Sequence, residues 1–465
     1  MADAALFAGP VLRRLRRRQQ LTQAAMAARL QISPSYLNLI ERNQRPVTAR
    51  VVMQLAAEFG FDPREMQEDA SVGGVDGLAR RFADERFADL AVDRDEIDEL
   101  LSSVPQIAAA FARLYDAADP SARHGGNDPL VVSRREIERW RNHFADLDHA
   151  AEQLADEIRL SRGDVLGAIT ERLREKHQLS VRILPRDVMP DSLRRLDLHA
   201  RQIQLSELLS PESRVFQLAL QIALIEQRDA ITSLVAGAQM REESGRELFA
   251  RHLANYFAAA LIMPYSRFLR ACDATGYDLA VLQRRFGVSF EQLAHRLTTL
   301  QRVGQRGLPF FMARIDRAGQ ISKRFTGASG AVFLEGETLC PLWKATAAFG
   351  RRGEMLAQNV LVDDAGSGTA QWMTFAKAVG GEMGGMDPLF AVVLGIDASL
   401  AGDLASSRGM ALGRDDATPI GPGCRRCHIA ACRQRAHPPT GRRLAFDRTR
   451  RLAVPFEFAK APEGA

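Results

Sequence analysis

The sequence predicts a mainly α protein with α+β regions, divided among about three domains. Three patterns carry that expectation. Residues 8–60 hold four or five short helical runs with clear capping signals. Residues 211–303 keep helical spacing almost without interruption. From residue 308, short β-type runs separated by turn residues take over. A chain of 465 residues also exceeds what one ordinary core organises.

Taken in order, Thr22 can cap a helix over 23–29. Ser33-Pro34 pairs an N-cap with proline at the first helical position and opens a helix over 34–42. Thr48 can cap the next, which buries Val51, Val52, Leu55 and Phe59. Residues 78–118 read as helical, with Asp93, Asp95 and Glu96 early and Ile97, Leu100, Leu101, Ile107, Phe111 and Leu114 later. A Pro/Gly/Asn-rich break at 119–132 is the expected linker. One long amphipathic stretch is expected over 133–160, then a further helix, a strand at 181–184 and a hairpin over 193–205. Strands at 310–315 and 321–325 flank a turn, and others are expected near 355–362, 370–379 and 389–396. Residues 457–465 read as frayed. The resulting boundaries are 8–65, 66–132, 133–305 and 306–455.

The whole chain carries a formal charge of +5. Residues 1–60 alone carry nine Arg against Asp3, Glu41 and Glu58, a local surplus of +6. Such a field attracts phosphate. No apolar run reaches the roughly 18 residues that a membrane span needs. Leu6 to Leu15 is too short for a signal-peptide core and runs into arginines. These features predict a cytoplasmic protein with no membrane partner.

Residues 21–45 resemble the XRE, or lambda-repressor-like, helix-turn-helix family. Leu21, Met26, Leu30, Ile32, Leu37 and Ile40 are spaced to lock two short helices together. That leaves Ser33, Ser35, Tyr36, Asn38 and Arg42 around the start and outer face of the second helix. The N-terminal end of a recognition helix enters the major groove, so Ser35, Tyr36 and Asn38 are base-contact candidates. The resemblance makes Gln23 a phosphate clamp, with Arg45 and Arg50 adding backbone contacts. One unit reads half a site, so a homodimer or higher oligomer on a double-stranded DNA operator is expected.

The window 216–226, Phe-Gln-Leu-Ala-Leu-Gln-Ile-Ala-Leu-Ile-Glu, has the form of a zinc-peptidase helix without its ligands. His-Glu-x-x-His would place two imidazoles on one helix face, with Glu as base. Here Leu220, Gln221 and Leu224 occupy those positions. None of the nine histidines has another four positions away. Metal-dependent peptide hydrolysis is thereby disfavoured, and the chain is read as a non-enzyme.

Three of the five cysteines, Cys424, Cys427 and Cys432, are spaced C-x2-C-x4-C. In a cytosolic chain this points to a metal rather than a disulfide. Gly421 and Gly423 allow a tight bend, and Arg425, Arg426, Arg433 and Arg435 favour thiolates. Three thiolates suit an iron–sulfur cubane with one iron held otherwise, or a zinc completed by His428 or His437. Spacing does not separate the two. Cys272 and Cys340 stand apart and read as small buried hydrophobes.

Together these motifs resemble the short-chain fatty acyl transcriptional regulators, which include regulators of propionyl-CoA and methylcitrate metabolism. That family joins an XRE helix-turn-helix to a degenerate ImmA/IrrE-like domain of zincin type. It ends in a mixed α/β domain bearing Gly-Pro-Gly-Cys-x-x-Cys and Cys-x-Gln-Arg-Ala, present here at 421–427 and 432–436. The resemblance spans about residues 8–455 and extends to 254–257 and 263–265. It implies a short-chain acyl-CoA effector and a [4Fe–4S] cluster on the three cysteines, with zinc as the alternative. Arg182 and Arg201 are then phosphate candidates, and Gln221, Leu224 and Tyr256 candidates for the emptied cleft, with Trp343 and Lys344 behind them. A competing reading makes the cluster itself a redox or iron signal. A repressor-cleaving peptidase is the third.

Overall fold

In a computed structural model the chain divides into two compact units, residues 1–127 and 128–465. The structure describes residues 9–41, 45, 47–59, 74–82, 87, 90, 92–118, 128–160, 163–238, 240, 242–331, 334, 339–364, 368–380, 388–427, 429, 431–440 and 442–458.

The first unit is helical. Its helices are α1 (Gly9–Arg18), α2 (Gln23–Arg29), α3 (Pro34–Glu41), α4 (Ala49–Phe59), α5 (Gly74–Phe82), α6 (Arg94–Ser103) and α7 (Pro105–Ala118). Leu12, Met26, Leu30, Leu37, Ile40, Val51 and Leu55 form one core. Leu78, Ile97, Leu101, Ala108 and Ala112 form another, from α5 to α7. Two of the predicted caps are present: Thr22 accepts from the Ala25 amide at 3.2 Å and Ser33 from the Tyr36 amide at 3.1 Å. Asp93 and Glu96 close a reciprocal capping box on α6.

The second unit opens with α8 (Pro129–Arg139), capped by Asp128 with proline at its first turn. The linker expected over 119–132 therefore ends earlier, and residues 119–127 lie outside the described residues. The single helix expected over 133–160 is two, α8 and α9 (Ala145–Glu157). The break falls at Arg141 and Asn142, both in left-handed backbone, φ 50° and 52°. Asn tolerates that conformation, and its buried amide is held: Asn142 donates to the Thr298 hydroxyl at 2.9 Å and accepts from His252 at 2.9 Å.

Next come α10 (Val165–His177), β1 (Ser180–Leu184), β2 (Arg194–Asp197), β3 (Gln202–Ser206), α11 (Pro211–Glu226), α12 (Arg228–Gly237), α13 (Glu243–Ile262), α14 (Tyr265–Thr275), α15 (Leu279–Phe286) and α16 (Phe290–Leu297). The three strands order as β1-β3-β2, with β1 parallel and β2 antiparallel to β3. Residues 253–262 of α13 are buried almost throughout, and the helix packs against α8, α9, α11 and α12. Fully burying a side chain such as Phe249 or Phe257 contributes roughly 1.5–3 kcal/mol.

Strands β4 (Phe311–Ile315), β5 (Ile321–Phe325), β6 (Met355–Asp364), β7 (Gly368–Gly380), β8 (Leu389–Asp397) and β9 (Thr418–Ile420) form a sheet ordered β5-β4-β8-β7-β6-β9. Only β9 joins in parallel. Alternation buries both faces. Met373, Phe375, Val392, Leu394 and Ile396 enter the helical core, while Phe311, Trp372, Ala391 and Val393 line a second one. Residues predicted as frayed partly pair: β11 (Glu457–Phe458) adds antiparallel to β10 (Leu444–Ala445). Among the described residues, no helix is long and apolar enough to cross a membrane.

Candidate functional site

The helix-turn-helix positions its polar face through a buried carboxylate. Glu41, at the end of α3, is 2% exposed. Arg16 of α1 donates to it twice, at 2.6 and 3.0 Å, and Gln23 of α2 donates at 2.8 Å. Arg13 donates to its backbone carbonyl at 2.6 Å. Burial pushes the Glu41 pKa up, but the bonds from Arg16 and Gln23 outweigh it, and the net shift is downward. One carboxylate thus ties three helices of the DNA-binding unit.

Ser35 is exposed, and Tyr36 and Asn38 are partly exposed on α3. The Ser33 side chain is spent on the cap. Both amide protons of Gln23 point inward, one to Glu41 and one to Asn38 at 3.4 Å. A phosphate at Gln23 has to displace the weaker contact to Asn38. Arg45 and Arg50 are exposed, and Arg42 lies outside the described residues.

In the second unit, α11 carries the erased motif. Ser210 caps it and Pro211 opens it. Gln221 is buried, Leu220 half-buried, and Leu224 43% exposed. Gln217, Leu220, Gln221 and Leu224 lie at helical spacing on one stripe. Arg194, on edge strand β2, donates to the Gln217 carbonyl at 3.2 Å, so it reaches that stripe. Burial lowers the Arg194 pKa, with no carboxylate acting on it. Exposed Ile183 and Leu196 accompany it on the two edge strands, where the register places Ile183 and Arg194 across Leu205. Sequence reading missed Arg194; its signal is a basic residue at a strand edge facing the emptied helix.

At the foot of α11, Glu226 gathers Arg172 at 2.9 and 3.0 Å, Lys176 at 2.8 Å and His177 at 2.8 Å. Burial raises its pKa, but those three partners hold it at about 2.

Three effector candidates are corrected. Tyr256 is fully buried, and its hydroxyl donates to Asp148 at 2.6 Å while accepting from the Phe144 amide at 3.2 Å. It is a core clamp between α13 and α9. Arg201 is not on a strand but in the β2–β3 turn, at φ 50°, where it donates to Gln178. Trp343 is buried in the second sheet core. Arg182 is exposed on β1, with Gln204 beside it in register. Lys344 donates its backbone N–H to Gln358 at 2.7 Å.

The cysteine loop follows β9. Cys427 is buried; Cys424 and Cys432 are partly exposed. Arg435, 4% exposed, organises the loop. It donates to the carbonyls of Cys424 at 2.9 Å, Cys427 at 3.1 Å and Ile429 at 2.5 Å, and lies 3.7 Å from Cys427 Sγ. Its Nε–H is buried without a partner among the described residues. The Ala436 amide points at Cys424 Sγ, 3.5 Å away. Three thiols beside a buried guanidinium that keeps one N–H unspent fit an anionic, thiolate-held inorganic group. His428 lies outside the described residues. Among the described residues, no three His, Cys, Asp or Glu side chains are spaced to hold one metal ion.

Three family models tile most of the chain. Residues 8–68 match a helix-turn-helix domain, 174–298 an IrrE N-terminal-like domain, and 299–456 the C-terminal domain of the short-chain fatty acyl coenzyme A regulators. The chain is 35% identical to the HTH-type transcriptional regulator RamB of Mycobacterium tuberculosis, over 97% of this chain and 98% of that one. It is 35% identical to the HTH-type transcriptional regulator PrpR of the same organism, over 97% and 95%. A propionyl-CoA carboxylase regulator of Cereibacter sphaeroides is 34% identical, over 97% and 99%. Among solved structures, a Mycobacterium tuberculosis transcriptional regulator matches with TM-score 0.65 and 35% identity, over 71% of this chain and 99% of that one.

Proposed function

Because this chain belongs to the short-chain fatty acyl coenzyme A regulators, we propose that it is a DNA-binding transcriptional regulator of short-chain acyl metabolism. A short-chain acyl-CoA sets its affinity for an operator, and Cys424, Cys427 and Cys432 hold an iron–sulfur cluster. The observation that carries the DNA-binding part is the Glu41 knot, which presents α3 with Ser35, Tyr36 and Asn38 outward. A basic surface on that unit supplies the phosphate attraction. A homodimer on an inverted repeat follows from the half-site geometry of such units.

For the effector, the support is the stripe on α11. Peptidase ligands are replaced there by Leu220, Gln221 and Leu224, and Arg194 stands beside it as a half-buried cation with no carboxylate acting on it among the described residues. A half-buried guanidinium suits a phosphate, and the apolar rim of Ile183, Leu196 and Leu224 suits a short acyl chain. The Cereibacter relative is a propionyl-CoA carboxylase regulator; propionyl-CoA and acetyl-CoA are the effectors proposed for this chain. Loss of the ligand pair on α11 leaves that helix without a metal-bound water, and regulation rather than hydrolysis is the role proposed.

A bound cluster would supply a redox-active, thiolate-held anchor for the C-terminal loop. Zinc, held by the same three thiolates and a histidine, is the alternative.

The test is a thermal-shift series of the full chain with propionyl-CoA, acetyl-CoA and free CoA. Stabilisation by a thioester that Arg194→Met removes is the expected result. No shift with any thioester overturns the effector assignment.

A further inference from the structure

Residues 425–451 hold nine Arg against one acidic residue, Asp447, a local surplus of +8. That exceeds the +6 of residues 1–60 and the +5 of the whole chain. The thiols account for little of it. Arg435 is buried among the cysteine carbonyls, and the other eight are exposed.

Folding gathers these charges on one face. The Thr440 amide donates to the Arg425 carbonyl at 2.8 Å, which holds the chain before β10 against the cysteine loop. The Phe458 ring of β11 lies 5.5 Å from the Arg435 guanidinium and 5.1 Å from that of Arg442. The nearby acids are already engaged. Asp447 accepts from the Thr449 amide at 2.8 Å and pairs with Arg450 at 3.0 Å, and Glu457 pairs with the same Arg450 at 3.2 Å. Among the described residues, Arg442, Arg443, Arg448 and Arg451 meet no carboxylate. Beside them Phe446 is 86% exposed. A solvated surface mixes charges of both signs. Arginine without counter-charge around an exposed aromatic ring is instead the composition of a nucleic-acid contact.

We propose that this face, centred on Arg443, Arg448 and Arg451, is a second contact for duplex DNA, on phosphates outside the bases read by α3. The assignment rests on the DNA-binding reading above and adds a contact that reads no sequence. Charge complementarity selects the occupant. Duplex DNA carries one negative charge per roughly 1.7 Å of axis, and residues 8–68 match a helix-turn-helix domain that brings the chain to such a polyanion. Once that domain is seated, the second contact forms at high effective concentration, so a few Arg–phosphate pairs suffice. Phe446 supplies an apolar wedge of the kind that minor-groove contacts use.

The experiment uses the full chain as wild type, as R443Q/R448Q/R451Q, as F446A, and as R270Q/R284Q/R285Q, which removes three exposed Arg elsewhere in the same unit. Circular dichroism and the thermal midpoint check that all fold alike. Affinity is measured across a salt series on the operator duplex with and without flanking sequence. In the wild type, flanking DNA is expected to tighten binding and steepen the fall of log affinity with log salt. The hairpin triple variant is expected to lose that gain, its slope smaller by about 2–3 per chain, near 0.9 for each phosphate released, with base preference unchanged. The control triple should keep the wild-type slope, because exposed charges beyond roughly 10 Å are screened at 0.1 M salt. F446A should weaken binding without changing the slope. Wild-type affinity and slope in the hairpin triple would overturn the second contact and leave the α3 reading intact. An equal loss of slope in both triples would reduce the effect to a general field and overturn it as well. Anionic lipid vesicles that bind wild type but not the hairpin triple, with the DNA slope unmoved, would assign the face to a membrane instead. A wild-type chain that binds no duplex sinks both readings.

Discussion

Asp148 on α9 and Arg296 on α16 meet at 2.7 Å with neither side chain exposed to solvent. The carboxylate also accepts from Tyr256 at 2.6 Å and lies 3.2 Å from His143, while Arg296 donates to the Met263 carbonyl at 3.0 Å and the Thr299 hydroxyl at 2.9 Å. Burial alone would raise the Asp148 pKa, but the Arg296 charge and these bonds hold it at about 2. The network joins the helices around α13 and so sets the frame in which α11 is presented.

Removing one partner strands a buried charge. Arg296→Met or Asp148→Ala is expected to cost about 3–5 kcal/mol, read as a fall in the denaturant midpoint. Replacing both with apolar residues should cost less than the two single changes added together. Additive losses would show that the pair is not coupled.

Acid stability follows from the same groups. Asp148 titrates near 2 in the folded chain against an ordinary 3.8, and Glu226 near 2 against 4.5. Each contributes stability above its ordinary pKa, which is lost as pH falls towards the folded value. His252 is pushed by burial, then by the Lys323 charge, to about 3 from 6.5. Unfolded chains therefore take up a proton there first, and stability declines already below pH 6.5. Burial also pushes His295 well below its ordinary value, so His252→Gln is expected to reduce that upper part of the decline without removing it, and Asp148→Asn to reduce the lower part. Unchanged pH profiles in both would refute the assignment.

Tyr256 and Arg194 separate core from effector site. Tyr256→Phe leaves a lone pair of Asp148 unmet and should cost about 1–3 kcal/mol, with the thioester-induced shift preserved. Arg194→Met should leave stability near wild type, since it removes a half-buried cation that burial disfavours, and should abolish the thioester response. The opposite pattern would return Tyr256 to the cleft.

On the DNA side, Asn38→Ala and Tyr36→Ala are each expected to cost about 1–3 kcal/mol on the operator and to relax base preference. Arg45→Ala and Arg50→Ala should instead weaken binding on all sequences and reduce the salt slope by about 1 each. Glu41→Ala should melt the first core and abolish both kinds of binding. Quantitative footprinting across a salt series distinguishes these outcomes.

Features written in neighbouring residues are legible from the amino-acid order alone. Thr22, Ser33 and Thr48 mark the helices they begin, and the alternation around Phe311 and Val392 marks strands, because caps and pleats act over a few residues. The break at Arg141–Asn142 is not legible in that way: what holds it, Thr298 and His252, lies more than a hundred residues away. Tyr256 resembles a cleft residue because its partner Asp148, 108 residues away, cannot be found from spacing. Glu41 has the look of surface charge within a basic segment, yet it is the buried centre of that unit.

The central claim is that a short-chain acyl-CoA bound in the second unit changes DNA binding by the first. Operator affinity of the full chain, at one fixed salt concentration, with saturating propionyl-CoA, acetyl-CoA or free CoA, tests it most directly. The account predicts a change of roughly 5–150-fold with a thioester, little with free CoA, and none with any of them in Arg194→Met. Equal operator affinity in all conditions for the wild-type chain would contradict it.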